Sequence, residues 1–285
     1  MIIIDGQHIA LKIVQKVARE IFEDSKKTNN RPSLAIVLAG DREDSEIYVD
    51  IKQATAKEMG IDTHIYKINE QEDTKDIIEL IEHLNNDEEV DGILVQLPLP
   101  KKYDTDKIIA TMSPDKDVDC FHPDNVKKLD DYRKMKPFIL SPVYATVLEM
   151  LESVYFDLNG VVSVIVANSE IFGGGLQKVL EAEGAKAEVV FTDDKLFKEK
   201  IKKADVLVTA VGKRNLITAD MIKPGAVVID VGITKEDGKI YGDVDFEEAK
   251  EMTSAITPVP GGVGPVVVAK ALENTWKVTK KNKSL

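Results

Sequence analysis

"VIVANSEIFGGG", residues 164–175, is a short apolar run that ends in Ala-Asn-Ser and continues into three glycines. An apolar run without polar alternation suits a strand covered on both faces. Glycines just after it suit a strand-to-helix turn where backbone passes close to a neighbour. The residues around it keep one rhythm: strand 161–167, helix 173–183, strand 187–192, helix 195–203, strand 205–211, helix 218–222 and strand 226–231. Strands alternating with helices give a parallel sheet with right-handed crossovers. Residues 161–231 therefore read as a doubly wound unit of Rossmann type.

A similar rhythm runs upstream. Ile9, Ile13, Val17 and Ile21 recur at helical spacing over 8–27. "SLAIVLAG" (33–40) is a buried strand, 44–59 a helix stopped by Gly60, 62–68 a strand and 73–85 a helix. "VDGILVQLPLP" (90–100) is a further buried strand, broken by prolines. Between 113 and 146 the pattern is irregular, which places a change of domain near 140. The expected architecture is two α/β domains, 1–140 and 141–265, with a ligand cleft between them. "TPVPGGVGP" (257–265) leads into an amphipathic final helix, 266–285, expected to pack back on the first domain. Its basic end, "KVTKKNK" (277–283), reads as a solvated tail.

Charge and composition narrow the function. The chain has 285 residues and a net charge of −12, which argues against nucleic acid or an anionic membrane as partner. Cys120 is the one cysteine, so neither an intramolecular disulfide nor a cysteine zinc cluster is available. His8, His64, His83 and His122 show no ligand spacing, and no metal is expected. "MIIIDGQHIALK" is too soon interrupted by Asp5 for a signal peptide, and no apolar run nears the ~20 residues of a membrane span. A cytoplasmic enzyme or binding protein is the expectation.

Four stretches carry chemistry. In "DSEIYVDIK" (44–52), Ser45, Tyr48 and Lys52 are three and four apart, so they share one helix face. The helix begins near the carboxyl edge of the sheet, where open α/β sheets bind ligands. A tyrosine and a lysine there suit proton transfer, provided burial or neighbours lower the lysine's pKa; the alternative is a surface helix with an incidental lysine. In "VQLPLP" (95–100), Gln96 ends a buried strand at the same edge and needs partners: the lysine, a substrate ring or plain backbone. "SPDKDVDCFHP" (113–123) has three carboxylates in five residues, but lacks the glycine and terminal glutamate of a calcium loop. A buried Asp119 pairing with a donor-rich heterocycle suits it better, against a capping loop as the alternative. "TPVPGGVGP" fixes an unusual backbone path, as a loop approaching a ligand does.

Together with "SEIYVDIKQATAKEMGI", "VDGILVQLPLP", "DKDVD" and "ADVLVTAVGKRNLITADMIKPGAVVIDVGI", in this order and spacing, these stretches resemble the methylenetetrahydrofolate dehydrogenase/methenyltetrahydrofolate cyclohydrolase (FolD-type) family over nearly the whole chain. The resemblance implies a folate site in which Lys52 is the acid/base of the cyclohydrolase step, Tyr48 stacks near the pterin, Gln96 tunes the lysine and Asp119 anchors the amino-pyrimidine edge. Ser45, Leu97, Pro260 and Gly261 would line the same cleft. Ala167, Asn168, Ser169, Gly173, Thr192, Asp193 and Ile233 would hold an NAD or NADP cofactor. A homodimer is also implied.

The chain departs from the family around the cofactor. The family's Gly-Arg-Ser is Ala167-Asn168-Ser169, and its Val-Gly with a Pro two residues on is Phe172-Gly173 with Gly175. The lost arginine suits a 2′-phosphate; Asp193 and Asp194, ending "AEVVFTDD", suit a free ribose 2′-hydroxyl. NAD is favoured on this ground. Ala167 would be strained if the turn needs a positive φ, and the glycines 173–175 weaken the first helical turn while admitting a pyrophosphate. "SPVY" (141–144) replaces the family's Pro-Cys-Thr-Pro, and Cys120 its glycine; Cys120 reads as a packed residue, not a nucleophile. Two rival functions stay open: a cyclohydrolase with a degraded dinucleotide site, and a non-catalytic folate-binding protein. A shikimate-type dehydrogenase would leave the folate-side motifs unexplained.

Overall fold

The computed structural model describes residues 1–28, 30–134 and 138–283. Residue 29, residues 135–137, in the irregular stretch, and 284–285, which end the expected last helix, lie outside them. In chain order the elements are β1 (Ile2–Ile3), α1 (Gly6–Thr28), β2 (Ser33–Ala39), α2 (Glu43–Met59), β3 (Asp62–Ile68), α3 (Thr74–Asn86), β4 (Gly92–Val95), α4 (Thr105–Thr111), α5 (Pro123–Lys127), α6 (Pro142–Ser153), β5 (Val162–Ala167), α7 (Glu170–Ala182), β6 (Lys186–Val190), α8 (Phe197–Ile201), β7 (Val206–Ala210), β8 (Val227–Asp230), β9 (Thr234–Glu236), β10 (Lys239–Tyr241), α9 (Phe246–Ala249), β11 (Ala255–Ile256) and α10 (Val263–Asn282). No described helix is long and apolar enough to cross a membrane.

The chain divides into two compact units. One comprises Leu11–Lys128, Phe138–Pro142 and Val268–Leu285. Its parallel sheet has the order β3-β2-β4. β2 is the middle strand and is buried at every position, as its unbroken apolar run requires. The expected strand 90–100 shortens to Gly92–Val95. Gln96 still donates its N–H to Val37 O at 2.9 Å, but Pro98 has no N–H to continue the ladder. Ile77, Ile81 and Leu84 of α3 pack with Ile93 and Val95 of β4 and Ile108 of α4 to form the core.

The other unit comprises Met1–Ala10, Leu129–Pro137 and Val143–Val267. Its parallel sheet runs β1-β11-β8-β7-β5-β6. From residue 143 on, the chain enters at β5, moves out to β6 at the edge beside it, then reverses through β7 and β8. The order therefore switches between β5 and β7, the doubly wound pattern. β1 joins this sheet beside β11, so the first residues run with residues 143–267 and not with 11–128. A run of three isoleucines, Ile2 to Ile4, is too short to carry a period that announces such a strand.

Two readings of the chain's end change. α10 is not amphipathic: from Val268 to Thr279 every residue but Lys277 is buried. Its polar groups are paired, some within the helix, as where Lys270 Nζ lies 3.1 Å from Glu273 Oε2, and some with distant segments. Nor is the basic end a free tail, since Lys280, Lys281 and Lys283 reach Glu20, Asp115 and Asp91 at 3.2, 2.7 and 3.0 Å. Asn274, 2% exposed, donates to Val118 O at 2.9 Å and Leu140 O at 2.8 Å. Asn274→Ala would leave both carbonyls without that donor, at roughly 2 kcal/mol or more. Urea unfolding is expected to show that loss; an unchanged midpoint and slope would contradict the anchoring role.

Candidate active site

The site in the three-stranded unit starts from the end of β2. Gly40 turns the chain at φ 85, and a Cβ there would press on Pro100 at 2.7 Å. α2 follows, with Glu43, Asp44 and Glu46 in its first turn, where carboxylates favour the helix dipole. It ends at Gly60 in the left-handed region, φ 81, as expected. Its inner face buries Ser45, Val49, Lys52, Ala56 and Met59, with Tyr48 half-buried beside them. The spacing of Ser45, Tyr48 and Lys52 thus does put them on one inward face.

Lys52 is only 8% exposed. Its ammonium donates to Gln96 Oε1 at 2.8 Å. Gln96 stands one residue beyond β4, the strand beside β2, and its own amide donates to Leu97 O at 2.9 Å. That second bond fixes which end of the amide meets the lysine. Burial pulls the Lys52 pKa down from its ordinary value, and the charge of Asp119 pulls it back up. Burial pushes the Tyr48 phenol up, and Asp44 adds to the rise.

Asp119 sits on the loop after α4, which lies along β4. Ile93 and Asp117 form an isolated parallel bridge, and Asn274 holds Val118. Asp117 is wholly buried and builds the loop from within: its Oδ2 accepts from His122 N at 2.8 Å and Asn125 Nδ2 at 3.0 Å. The three acids are therefore not equivalent. Burial raises the Asp119 carboxyl to about 6, with Lys52 opposing and Asp117 reinforcing. Cys120 has φ 59, the conformation that glycine favours. Burial, Asp117 and Asp119 push its thiol well up, so it remains protonated and unreactive.

In the six-stranded unit, Ala167 ends β5 and shows no positive φ, so alanine carries no strain there. Ser169 caps α7, its hydroxyl accepting from Phe172 N at 3.5 Å, and the helix starts at Glu170. The three glycines thus lie inside the helix, after its first turn. Gly173 packs on β6, where a Cβ would meet Val189 at 2.7 Å, and a Cβ on Gly175 would collide with the Tyr144 hydroxyl. Gly173 and Gly175 serve packing rather than approach to a pyrophosphate. Tyr144, from the departing "SPVY", fills the space beside Gly175 and donates to Phe172 O at 3.2 Å. Asn168 Nδ2 donates to Val211 O at 2.9 Å, joining the ends of β5 and β7 at the switch point.

Thr192 and Asp193 follow β6, Asp193 exposed. Asp194 is engaged by Lys200 Nζ at 2.9 Å and Leu196 N at 2.8 Å. Ile233 follows β8 and is 47% exposed. A capped helix start, a glycine letting helix meet strand, a switch point and an exposed acid three residues beyond the neighbouring strand together fit a dinucleotide. Pro260 is exposed and Gly261 has φ 97; both belong to this unit, whereas Ser45, Tyr48, Lys52, Gln96, Leu97 and Asp119 belong to the other. Asp117, Asn274 and Tyr144 escaped sequence reasoning, because no local pattern separates a buried organising group from an exposed one.

Asp119 gives a pH test. Its carboxyl titrates near about 6 in the fold against an ordinary 3.8. The folded chain therefore holds this proton more tightly than the unfolded chain does. The stability it supplies is complete below the unfolded value and is lost as pH rises through the folded one. Asp119→Asn lacks that loss. Thermal melts are expected to show the variant gaining on wild type as pH rises from about 4 to about 6, then holding a constant margin. A margin unchanged across that window would contradict the burial argument.

Residues 4–119 match the family described as tetrahydrofolate dehydrogenase/cyclohydrolase, catalytic domain, and residues 142–283 match its NAD(P)-binding domain. The bifunctional protein FolD of Acetivibrio thermocellus is 42% identical over 279 residues, covering 98% of this chain and 96% of that protein. The bifunctional FolD methylenetetrahydrofolate dehydrogenase/cyclohydrolase of Campylobacter jejuni superposes with TM-score 0.94 at 38% identity, covering 99% of each chain. The Trypanosoma brucei enzyme (FolD), complexed with NADP cofactor and inhibitor, gives TM-score 0.95 at 31% identity, covering 100% of this chain and 99% of that one. On these matches, which account for both units, the chain belongs to the tetrahydrofolate dehydrogenase/cyclohydrolase family.

Proposed function

We propose that the protein oxidises 5,10-methylenetetrahydrofolate with a nicotinamide dinucleotide and hydrolyses the resulting methenyl cation to 10-formyltetrahydrofolate. The observation that carries this reading is the buried Lys52 ammonium donating to Gln96 at 2.8 Å. A lysine desolvated and held in one direction can exchange protons nearer neutral pH than a free one.

Lys52 handles the protons of the hydrolytic step. Water adds to the one-carbon bridge of the methenyl cation; the neutral amine of Lys52 accepts a proton from it. The bond from the bridge carbon to N5 then breaks, and the ammonium returns a proton to N5. One proton is released overall. Gln96 holds the lysine's direction, and Asp119 favours its charged form while accepting two donors from the amino-pyrimidine edge. Tyr48 supplies an aromatic face beside the pterin, and Ser45 and Leu97 add substrate contacts from the same unit.

A bound dinucleotide would supply the hydride acceptor for the methylene bridge. Ala167, Asn168 and Ser169 would hold its phosphates, with Gly173 letting α7 pack on β6 beneath them, Thr192 and Asp193 its adenosine ribose, and Ile233 its nicotinamide side. NAD is the better fit. Asn168 offers no charge and spends its amide on Val211 O, and Asp193 presents a carboxylate where a 2′-phosphate would need a cation. A second reading, a cyclohydrolase with a weak dehydrogenase, draws on Glu170, whose carboxylate in the first turn of α7 opposes a pyrophosphate at that helix end. A homodimer belongs to the same proposal, resting on the family alone.

Lys52→Met is expected to lower cyclohydrolase turnover by roughly 10²-fold or more; unchanged turnover would sink the role given to the lysine. Separate assays with NAD and NADP are expected to show faster reduction of NAD by methylenetetrahydrofolate. A preference for NADP would overturn the assignment of Asp193 and Asn168, and negligible turnover with both would favour the second reading.

A further inference from the structure

The six-stranded unit buries two carboxylates that the reaction does not use. Asp230 ends β8 and is 2% exposed; Asp243 follows β10 and is 0% exposed. Among the described residues neither forms a salt bridge: both are held by hydrogen-bond donors. Asp243 Oδ2 accepts from Thr209 Oγ1 and from Val211 N, each at 2.7 Å, and its Oδ1 accepts from Lys213 N at 2.8 Å. Asp230 accepts from Gly232 N at 2.9 Å, from Asp243 N at 3.2 Å and from Val244 N at 2.9 Å.

These bonds join three loops at one end of the sheet: the turn after β7, the turn after β8 and the segment after β10. Two glycines make room for them. A Cβ on Gly232 would occupy the Asp243 carboxylate, and one on Gly242 the Asp230 carboxylate. Burying charge in this way is costly, and well-packed apolar residues often stabilise a fold as much. Apolar packing, however, cannot direct backbone N–H groups. The carboxylates do so, and the Val211 peptide shows where it matters. Asp243 takes the Val211 N–H, while Asn168, the residue after β5, donates to the Val211 carbonyl at 2.9 Å. Val211 is thus gripped on both sides at the switch point between β5 and β7, where doubly wound sheets bind their ligands. Next to it Gly212 adopts φ 74 and lies beside Ile233 O.

We propose that Asp243, seated by Asp230, is a positioning residue for the dinucleotide: it sets the Val211–Lys213 turn that borders the crevice, without touching the ligand. The inference rests on the dinucleotide reading above and adds residues that reading does not include. Asp243→Asn tests it, because the amide puts a donor where three donors converge. NADH binding to the full-length protein is measured by fluorescence titration. Cyclohydrolase turnover, carried by Lys52 in the other unit, is measured on the same samples, together with far-UV circular dichroism.

The expected result is a dissociation constant for NADH raised roughly tenfold or more, a raised KM for the dinucleotide with a smaller change in kcat, and cyclohydrolase turnover within about twofold of wild type. Thr209→Val removes one donor without altering charge; if the Asn variant does not fold, it serves in its place, with an expected loss of several-fold. Wild-type affinity in a folded Asp243→Asn, or in Thr209→Val where that stands alone, overturns the inference and leaves the dinucleotide reading intact. Wild-type protein that binds neither NADH nor NADPH overturns both.

Discussion

The hydrogen bond from Lys52 to Gln96 is the interaction on which the rest of the three-stranded unit depends. A lysine kept out of water is unfavourable unless something receives its charge. Here a neutral amide receives it, at 2.8 Å, and a carboxylate acts on it through its field. A direct ion pair would hold the proton more firmly and make a poorer acid/base. Each supporting feature can be traced to this arrangement. Gly40 turns α2 onto the sheet edge, β4 ends where Gln96 is needed, and Asp117 and Asn274 hold the loop that carries Asp119.

Much of this was legible because buried parallel strands leave a clear trace. β2 and β5 read as unbroken apolar runs, and Gly60 marked the end of α2. The common face of Ser45, Tyr48 and Lys52 followed from helical spacing alone. The family resemblance then turned candidate residues into roles. What spacing did not reveal is set by contacts between distant segments. β1 is two residues long and exists because β11 lies beside it. α10 carries lysine, glutamate, asparagine and threonine in a buried stretch, so its pattern suggested one wet face. The partners that permit its burial are scattered along the chain. Of the three acids in "DKDVD", Asp117 builds the loop and Asp119 is presented by it, a division set by depth.

The six-stranded unit shows how a departure from a family pattern can be absorbed locally. Glycines 173–175 looked like a loosened phosphate loop. They lie within α7, where Gly173 admits Val189 and Gly175 admits the Tyr144 hydroxyl. The change in "SPVY" and the change at Gly175 are therefore one adjustment in packing. Asn168 is different in kind. Its amide replaces a guanidinium with a single donor, committed to the Val211 carbonyl. On the proposed reading, that exchange removes positive charge from the crevice, while the bond to Val211 keeps the ends of β5 and β7 joined.

The central claim, that burial and a single amide acceptor tune Lys52, is most directly tested by titrating Lys52 itself. Nitrogen-15 NMR of the lysine Nζ in the ligand-free protein, assigned with Lys52→Arg, reports its protonation residue by residue. The account predicts a midpoint below the ordinary 10.5, and a further fall in Asp119→Asn as the opposing charge is removed. A midpoint at or above 10.5, unmoved by loss of Asp119, would contradict it.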